Sequence, residues 1–258
     1  MKADLVGSVE LTNRRVVAID GGTATGKGRL ILELAALLRS KGIPVIHLST
    51  GSLYRAVTYS CLGYTRQRVN GRRGMEESAI IRRSVELIHG LSEADCTRLA
   101  SERHIEMHNG EVWLDGKPAD EEQVLKSPGV GNAIPIVAAH VAVRAFVNRL
   151  TRLQVNEFDG YLMIDGRDTT HVIVPDAPLK LLLSVAPQIA AQRSKEHTVE
   201  EIVARDEADR RHTHGALRHP DNPGPGVRVV ATDNHTPESV RNLVYGLMRR
   251  TFPDLPPL

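Results

Sequence analysis

Lys27 sits inside the run Gly21-Gly22-Thr23-Ala24-Thr25-Gly26-Lys27-Gly28, a spacing suited to binding an anion. Glycines let successive backbone N–H groups turn inward with no Cβ in the way. A helix starting there adds unpaired N–H groups and the positive end of its dipole. Lys27 supplies a mobile charge for the outer phosphates. The run follows the apolar Val16-Val17-Ala18-Ile19-Asp20 and opens the amphipathic stretch Arg29–Lys41. Strand, glycine-rich turn and helix make it a phosphate-binding P-loop for a nucleoside triphosphate. Gly28 stands where many such loops place a hydroxyl that ligates Mg2+. No protein ligand to a metal is identified. Arg29, next along, suits a solvated first turn and a place near the phosphates equally well.

Three further constellations bear on the phosphoryl acceptor. Thr50-Gly51-Ser52-Leu53-Tyr54-Arg55 follows the expected strand Pro44–Leu48, and open α/β sheets bind ligands at that end. Arg55 alone would pass for a surface residue. Asp165-Gly166-Arg167-Asp168 follows the expected strand Tyr161–Asp165 and offers a bidentate phosphate donor flanked by carboxylates. In Arg205-Asp206-Glu207-Ala208-Asp209-Arg210-Arg211-His212, a helix would put Arg205, Asp209 and His212 on one face. Composition by itself favours a solvated, salt-bridged helix there. His212 and His214 read as a polar strip rather than a metal pair.

The elements that must position these groups alternate strand with helix. Leu179–Val185 reads as a strand covered on both faces, Val227–Ala231 as the last strand and Pro237–Arg250 as the closing helix. Two helices are expected between Pro187 and His212, and one long helix over Val130–Glu157. Leu53–Leu62 and Glu76–Gly90 also read as helices, with a polar loop over 64–74. Asn109-Gly110, flanked by alternating segments, is a hairpin turn, and Asp115-Gly116 marks a second turn. The fold class is α/β: a P-loop NTPase-type doubly wound parallel sheet, a small acceptor-binding lobe with a β-hairpin, and a short helical lid. The expected organisation is a loose arm over 1–14, a core over 15–63 and 131–250, a lid near 187–215, the acceptor lobe over 64–130 and an extended tail over 251–258.

The 258 residues carry 33 Lys and Arg against 31 Asp and Glu, which argues against a general nucleic-acid binder. Aromatics at 3% leave few platforms for stacking bases. Cys61 and Cys96 lack metal-type spacing and read as reduced thiols of a cytoplasmic protein. No apolar run is long enough to span a membrane. The expected partner is a small nucleotide, with neither nucleic acid nor membrane.

Taken together the chain resembles the bacterial cytidylate kinase family from about Val16 to Val240. The motifs that carry the likeness are I-D-G-x4-G-K-G at Ile19–Gly28, T-G-S-L-Y-R at Thr50–Arg55, D-G-R-D with P-D-A at Asp165–Ala177 and R-D-x-x-D-R at Arg205–Arg210. The hairpin lobe followed by Val130-Gly131-Asn132-Ala133 also matches. The resemblance implies transfer of the ATP γ-phosphoryl group to CMP or dCMP, with Mg2+. By position it makes Arg55 and Arg167 acceptor-phosphate clamps, Arg144 and Asp168 cytosine readers, and Arg205 and Asp209 a ribose-side pair. Lys126 falls where the family tends to have an arginine on the phosphate side. Thr50 stands for a serine next to the base, and Arg193 is the lid arginine left on the donor side. A carboxylate at Asp168 can accept from cytosine's 4-amino group, whereas uracil would present a carbonyl to it.

The departures cluster. Arg29 replaces a threonine, Pro135 a serine near the cytosine, Thr170-His171 a Gly-Thr pair, and Ala190 and His212 lid arginines. Only the eleven residues Ser194–Ala204 separate Arg193 from Arg205. Fewer arginines weaken charge stabilisation, and a shorter lid excludes less water. A phosphotransferase with an altered acceptor follows from that pattern. A P-loop kinase for a different small phosphorylated metabolite and a non-catalytic nucleotide-binding protein are the alternatives.

Overall fold

A computed structural model of the chain describes residues 10–69, 77–119, 124–194, 197–211 and 216–258. It divides into two compact units, one of Ser49–Gln154 and one of Glu10–Leu48 with Val155–Leu258. The acceptor lobe expected over 64–130 lies within the first of these.

The chain opens the second unit with β1 (Val16–Gly21), α1 (Lys27–Ser40) and β2 (Val45–Ser49). Every residue of β1 is buried, as a strand covered on both faces requires. Gly26 caps α1 at φ 89°, a left-handed conformation that glycine adopts without a steric cost. α1 buries Leu30, Ile31, Leu34, Ala35 and Leu38, the stripe a 3.6-residue period predicts.

The first unit follows with α2 (Thr50–Val69), α3 (Glu77–Ile88) and α4 (Glu93–Glu102). α2 packs against α3, α4 and the later α5 (Pro128–Val137). The polar loop expected from residue 64 is instead helix as far as Val69. Within it the buried Thr65 hydroxyl donates to the Cys61 carbonyl one turn back, at 3.2 Å, which satisfies this polar side chain inside the helix. Residues 70–74 of that loop lie outside the described residues. α4 escaped the sequence reading although Ser92 and Asp95 form a reciprocal capping box at its start.

The expected hairpin is present: β3 (Ile105–His108) and β4 (Glu111–Leu114) pair antiparallel, and β5 (Lys117–Pro118) adds a third strand. Asn109 and Gly110 take φ 51° and 88°, as a two-residue primed turn demands. The single helix expected over Val130–Glu157 is two, α5 and α6 (Val141–Glu157), bent 103° from one another. The N–H groups of Ala139 and His140 turn to carbonyls three residues back, and α6 restarts beyond them. Apolar residues on both sides hide this break, because each helix buries its own face.

Back in the second unit come β6 (Tyr161–Gly166), a π-turn at Thr169–Ile173, β7 (Leu179–Ser184), α7 (Pro187–Ser194), α8 (Val199–Arg210), β8 (Val227–Ala231) and α9 (Pro237–Thr251). The sheet order is β2-β6-β1-β7-β8. β1 runs parallel to β6 and β7, and β7 runs parallel to β8. α1 and α9 pack together, and their core includes Val17, Ile19, Leu181, Leu183, Val244, Tyr245 and Met248. The α/β architecture is therefore the expected P-loop type, with helices flanking a parallel sheet.

Both ends of the described unit are tied down. Residues 1–9 of the expected arm lie outside the described residues, while Leu11 is buried and Thr12 N–H donates to Asn156. The tail expected as extended over 251–258 begins one residue later, since Thr251 ends α9, and it turns at Phe252–Leu255; both of these side chains are buried, and Tyr245 Oη donates to the Pro256 carbonyl. Among the described residues no single helix is long and apolar enough to cross a membrane.

Candidate active site

β1 delivers the chain into the P-loop, and the loop's shape follows from close backbone approach. A Cβ on Gly21 would lie 2.8 Å from the Leu183 carbonyl of neighbouring β7, so only glycine fits there. Ala24 takes φ 53° and Gly26 φ 89°, which curls the loop before α1 begins. Lys27 is the first residue of α1, and its ammonium donates to the carbonyls of Gly21 and Gly22. Burial, followed by the Arg167 charge, pushes the Lys27 pKa down to about 7. Asp165, Asp20 and Asp206 act in the opposite direction.

Arg167 follows β6, which pairs with β1 as far as Asp20 opposite Gly166. That register carries Arg167 to the P-loop, where its guanidinium donates to the Gly21 carbonyl at 2.7 Å. The Gly21 carbonyl therefore accepts from two cations. Asp168 is buried at the start of the π-turn. Asp165, at the end of β6, accepts from or pairs with His47 Nε2 on β2 at 2.8 Å.

α8 brings two carboxylates to the same place. Asp206 Oδ1 accepts the Thr23 N–H at 2.9 Å and the Thr23 hydroxyl at 2.8 Å. Asp209 pairs with Arg167 at 3.1 Å. The expected face of Arg205 and Asp209 thus delivers Asp209, while Arg205 is exposed. Asp206, which the sequence reading passed over, is the residue that reaches the loop. His212 and His214 lie outside the described residues.

Beside the loop is a cavity of about 510 Å³. Thr25, Gly26 and Arg29 line one part of it, and Arg193, Thr232 and His235 another. Arg193 is fixed there by two hydrogen bonds to Thr232, at 2.9 Å to its hydroxyl and 2.7 Å to its carbonyl. Arg29 is ion-paired to Glu33 one turn on, at 2.8 Å, and keeps much of its side chain in solvent. Thr232 and His235 carried no local signal, because neither belongs to a motif.

The other candidate residues belong to the helical unit. Thr50 opens α2 and is buried, and Arg55 is half-buried a turn later. Arg144 of α6 is only 8% exposed, donates to the Tyr54 hydroxyl at 3.1 Å and lies 5.6 Å from that ring's centre. The tyrosine of T-G-S-L-Y-R therefore holds an arginine 90 residues away. Lys126 is exposed, just before α5. Pro135 lies inside α5.

Among the described residues no group of three or more His, Cys, Asp or Glu is placed to bind a metal ion. With Gly28 at the hydroxyl position, the residues suit a Mg2+ that arrives on phosphates and is met by few protein atoms.

The family model for cytidylate kinase matches residues 17–250 of this chain. The chain is similar to the cytidylate kinase of Pelotomaculum thermopropionicum, at 29% identity over 78% of this chain and 83% of that protein. It is 31% identical to the cytidylate kinase of Mycobacterium leprae, over 71% of this chain and 69% of that one. A probable cytidylate kinase of Vairimorpha ceranae is 29% identical over 90% of this chain and 96% of its own length.

Proposed function

The chain belongs to the cytidylate kinase family, and on that premise we propose that it transfers the γ-phosphoryl group of ATP to CMP, dCMP or a modified cytosine nucleotide. One observation carries the reading. The P-loop with Lys27 and the Asp165–Asp168 loop of the next strand meet at the Gly21 carbonyl, which accepts from both Lys27 and Arg167. On this assignment the donor-phosphate cradle and the arginine that would clamp the acceptor share one hydrogen-bond acceptor.

Phosphoryl transfer asks little covalent chemistry of the protein. It needs two polyanions aligned, their repulsion cancelled and water kept away. In our assignment Gly21–Gly28 cradle the donor phosphates, and Arg29 and Arg193 border the donor's nucleoside in the adjoining cavity. Lys27, Arg167 and Arg205 carry the charge that develops on the transferred group. Arg55, Lys126 and Arg167 hold the acceptor phosphate. Arg144 and Asp168 read the base beside Thr50, and Asp209 and Arg205 serve the ribose side. Residues 64–130 form the acceptor lobe and 187–215 the lid.

When bound, Mg2+ would supply charge neutralisation on the donor phosphates, held mainly by those phosphates and by water beside the Gly28 end of the P-loop. Asp165, bound to His47 Nε2, would act there through its charge, as it does on Lys27. We place the enzyme in the cytoplasm, with a small nucleotide as its partner rather than nucleic acid or membrane.

The test is ADP release from ATP and Mg2+ with CMP, dCMP, UMP and AMP in turn. Turnover with CMP or dCMP well above UMP and AMP is expected. Turnover fastest with UMP or AMP would overturn the cytosine assignment, and ATP binding without turnover on any acceptor would overturn the kinase reading.

A further inference from the structure

Asp20 ends the apolar part of β1, immediately before the P-loop, and is 1% exposed. Its carboxylate accepts four hydrogen bonds, all from two consecutive threonines. Oδ1 takes the Thr169 N–H at 2.8 Å and the Thr169 hydroxyl. Oδ2 takes the Thr170 N–H at 2.9 Å and the Thr170 hydroxyl at 2.6 Å. His171 Nδ1 lies 4.0 Å from the same oxygen.

The location gives this cluster its meaning. The β1–β6 register ends at Asp20 opposite Gly166. Beyond that pair the two chains separate into the P-loop on one side and Arg167-Asp168 on the other. Asp20 crosses from the first to the second, 149 residues away in sequence. On one side its neighbour is Gly21, whose carbonyl accepts from Lys27 and Arg167. On the other, Thr169 follows directly on Asp168.

A buried carboxylate is a poor way to gain stability, since an apolar side chain of similar size serves as well or better. It is a good way to fix geometry, because four directed donors hold it in one orientation. Its charge also acts to keep Lys27 protonated, alongside Asp165 and Asp206 and against Arg167.

We propose that Asp20 is a positioning residue for phosphoryl transfer, fixing Arg167 and Asp168 relative to the P-loop through Thr169 and Thr170. This rests on the kinase reading above. The carboxylate touches neither nucleotide; it acts through the loop that does. Misplacing reacting groups by about 1 Å can cost on the order of 100-fold in rate, so the effect belongs in kcat.

The experiment compares the wild-type chain with Asp20→Asn and with the Thr169→Val/Thr170→Val pair. The pair keeps the charge and both N–H groups and removes only the hydroxyls. Steady-state kcat and acceptor KM, calorimetric ATP affinity and thermal melting are measured, with kinetics well below every melting temperature. Asp20→Asn is expected to lower kcat about 100-fold and the threonine pair about tenfold, with ATP affinity within about threefold of wild type. A folded Asp20→Asn that melts lower but keeps kcat would overturn the proposal. Where Asp20→Asn does not fold, the threonine pair decides: an unchanged kcat overturns it. A wild-type chain that turns over no monophosphate sinks the kinase reading instead, and only that outcome does so.

Discussion

The P-loop and the Arg144–Tyr54 corner of the helical unit hold charge by opposite means. The P-loop is made of backbone: glycines, a positive-φ alanine and a helix start, with Lys27 folded over two carbonyls. The Arg144 corner is made of side chains, with a buried guanidinium held against a tyrosine ring and hydroxyl 90 residues away. A backbone cradle recognises any phosphate, because every nucleotide presents the same oxygens. A side-chain corner can recognise a particular base, because changing one residue changes its pattern of donors. Donor binding should therefore be robust in this chain and acceptor choice open to change, and the departures from the family pattern at Pro135 and Thr50 belong to the acceptor side in our proposal.

The largest effect is expected from the cradle's one mobile charge. Lys27→Ala should lower kcat/KM about a thousandfold with every acceptor, as loss of a transition-state donor does; an effect on one acceptor only would break the comparison. Arg144→Met should act selectively, raising the KM for CMP on the order of 100-fold while ATP affinity, followed by calorimetry, stays near wild type. Equal losses of both affinities would mean that the corner is structural. A melting curve separates that case from general destabilisation.

This contrast also explains what the sequence disclosed. The P-loop was legible because its glycines, Lys27 and the flanking strand and helix are contiguous, so local chemistry states the whole device. Arg167 was legible because D-G-R-D sits at a strand's carboxyl end. Asp206 was not, since it meets Thr23 across 183 residues, and its own neighbours make it look like one more charge on a solvated helix. Asp20 lay within a recognised motif, yet its partners Thr169 and Thr170 are known only once β1 and β6 are in register. Tertiary placement misled at larger scale too. Periodicity ran straight through the turn between α5 and α6, and the proline-rich tail that could not be helical still buried Phe252 and Leu255.

Lys27 gives the cradle a pH signature. Its pKa is lowered to about 7, so the free protein loses the ammonium as pH rises through that value. Bound phosphates favour the charged form, so nucleotide affinity should be full below pH 7 and fall above it, by about tenfold between pH 6 and pH 8. The groups facing Lys27 are Arg167, Asp165, Asp20 and Asp206. A Lys27→Met variant should show no such slope beyond that of the nucleotide itself; the same slope in both proteins would assign it elsewhere.

The smallest effect sharpens the comparison from the other side. Asp206 places a carboxylate on the Thr23 N–H and hydroxyl, where in our assignment it would compete with an incoming phosphate. Asp206→Ala should tighten ATP binding by about fivefold, an ordinary size for relieving one like-charge contact. Weaker binding would show that Asp206 assists the donor rather than opposing it.

The central claim is a kinase whose donor site is general and whose acceptor site reads cytosine. Its most direct test is a competition: limiting ATP and Mg2+ with equal CMP and UMP, and the diphosphates separated and quantified. The expected result is CDP in large excess over UDP. Equal amounts of the two, or an excess of UDP, would contradict it.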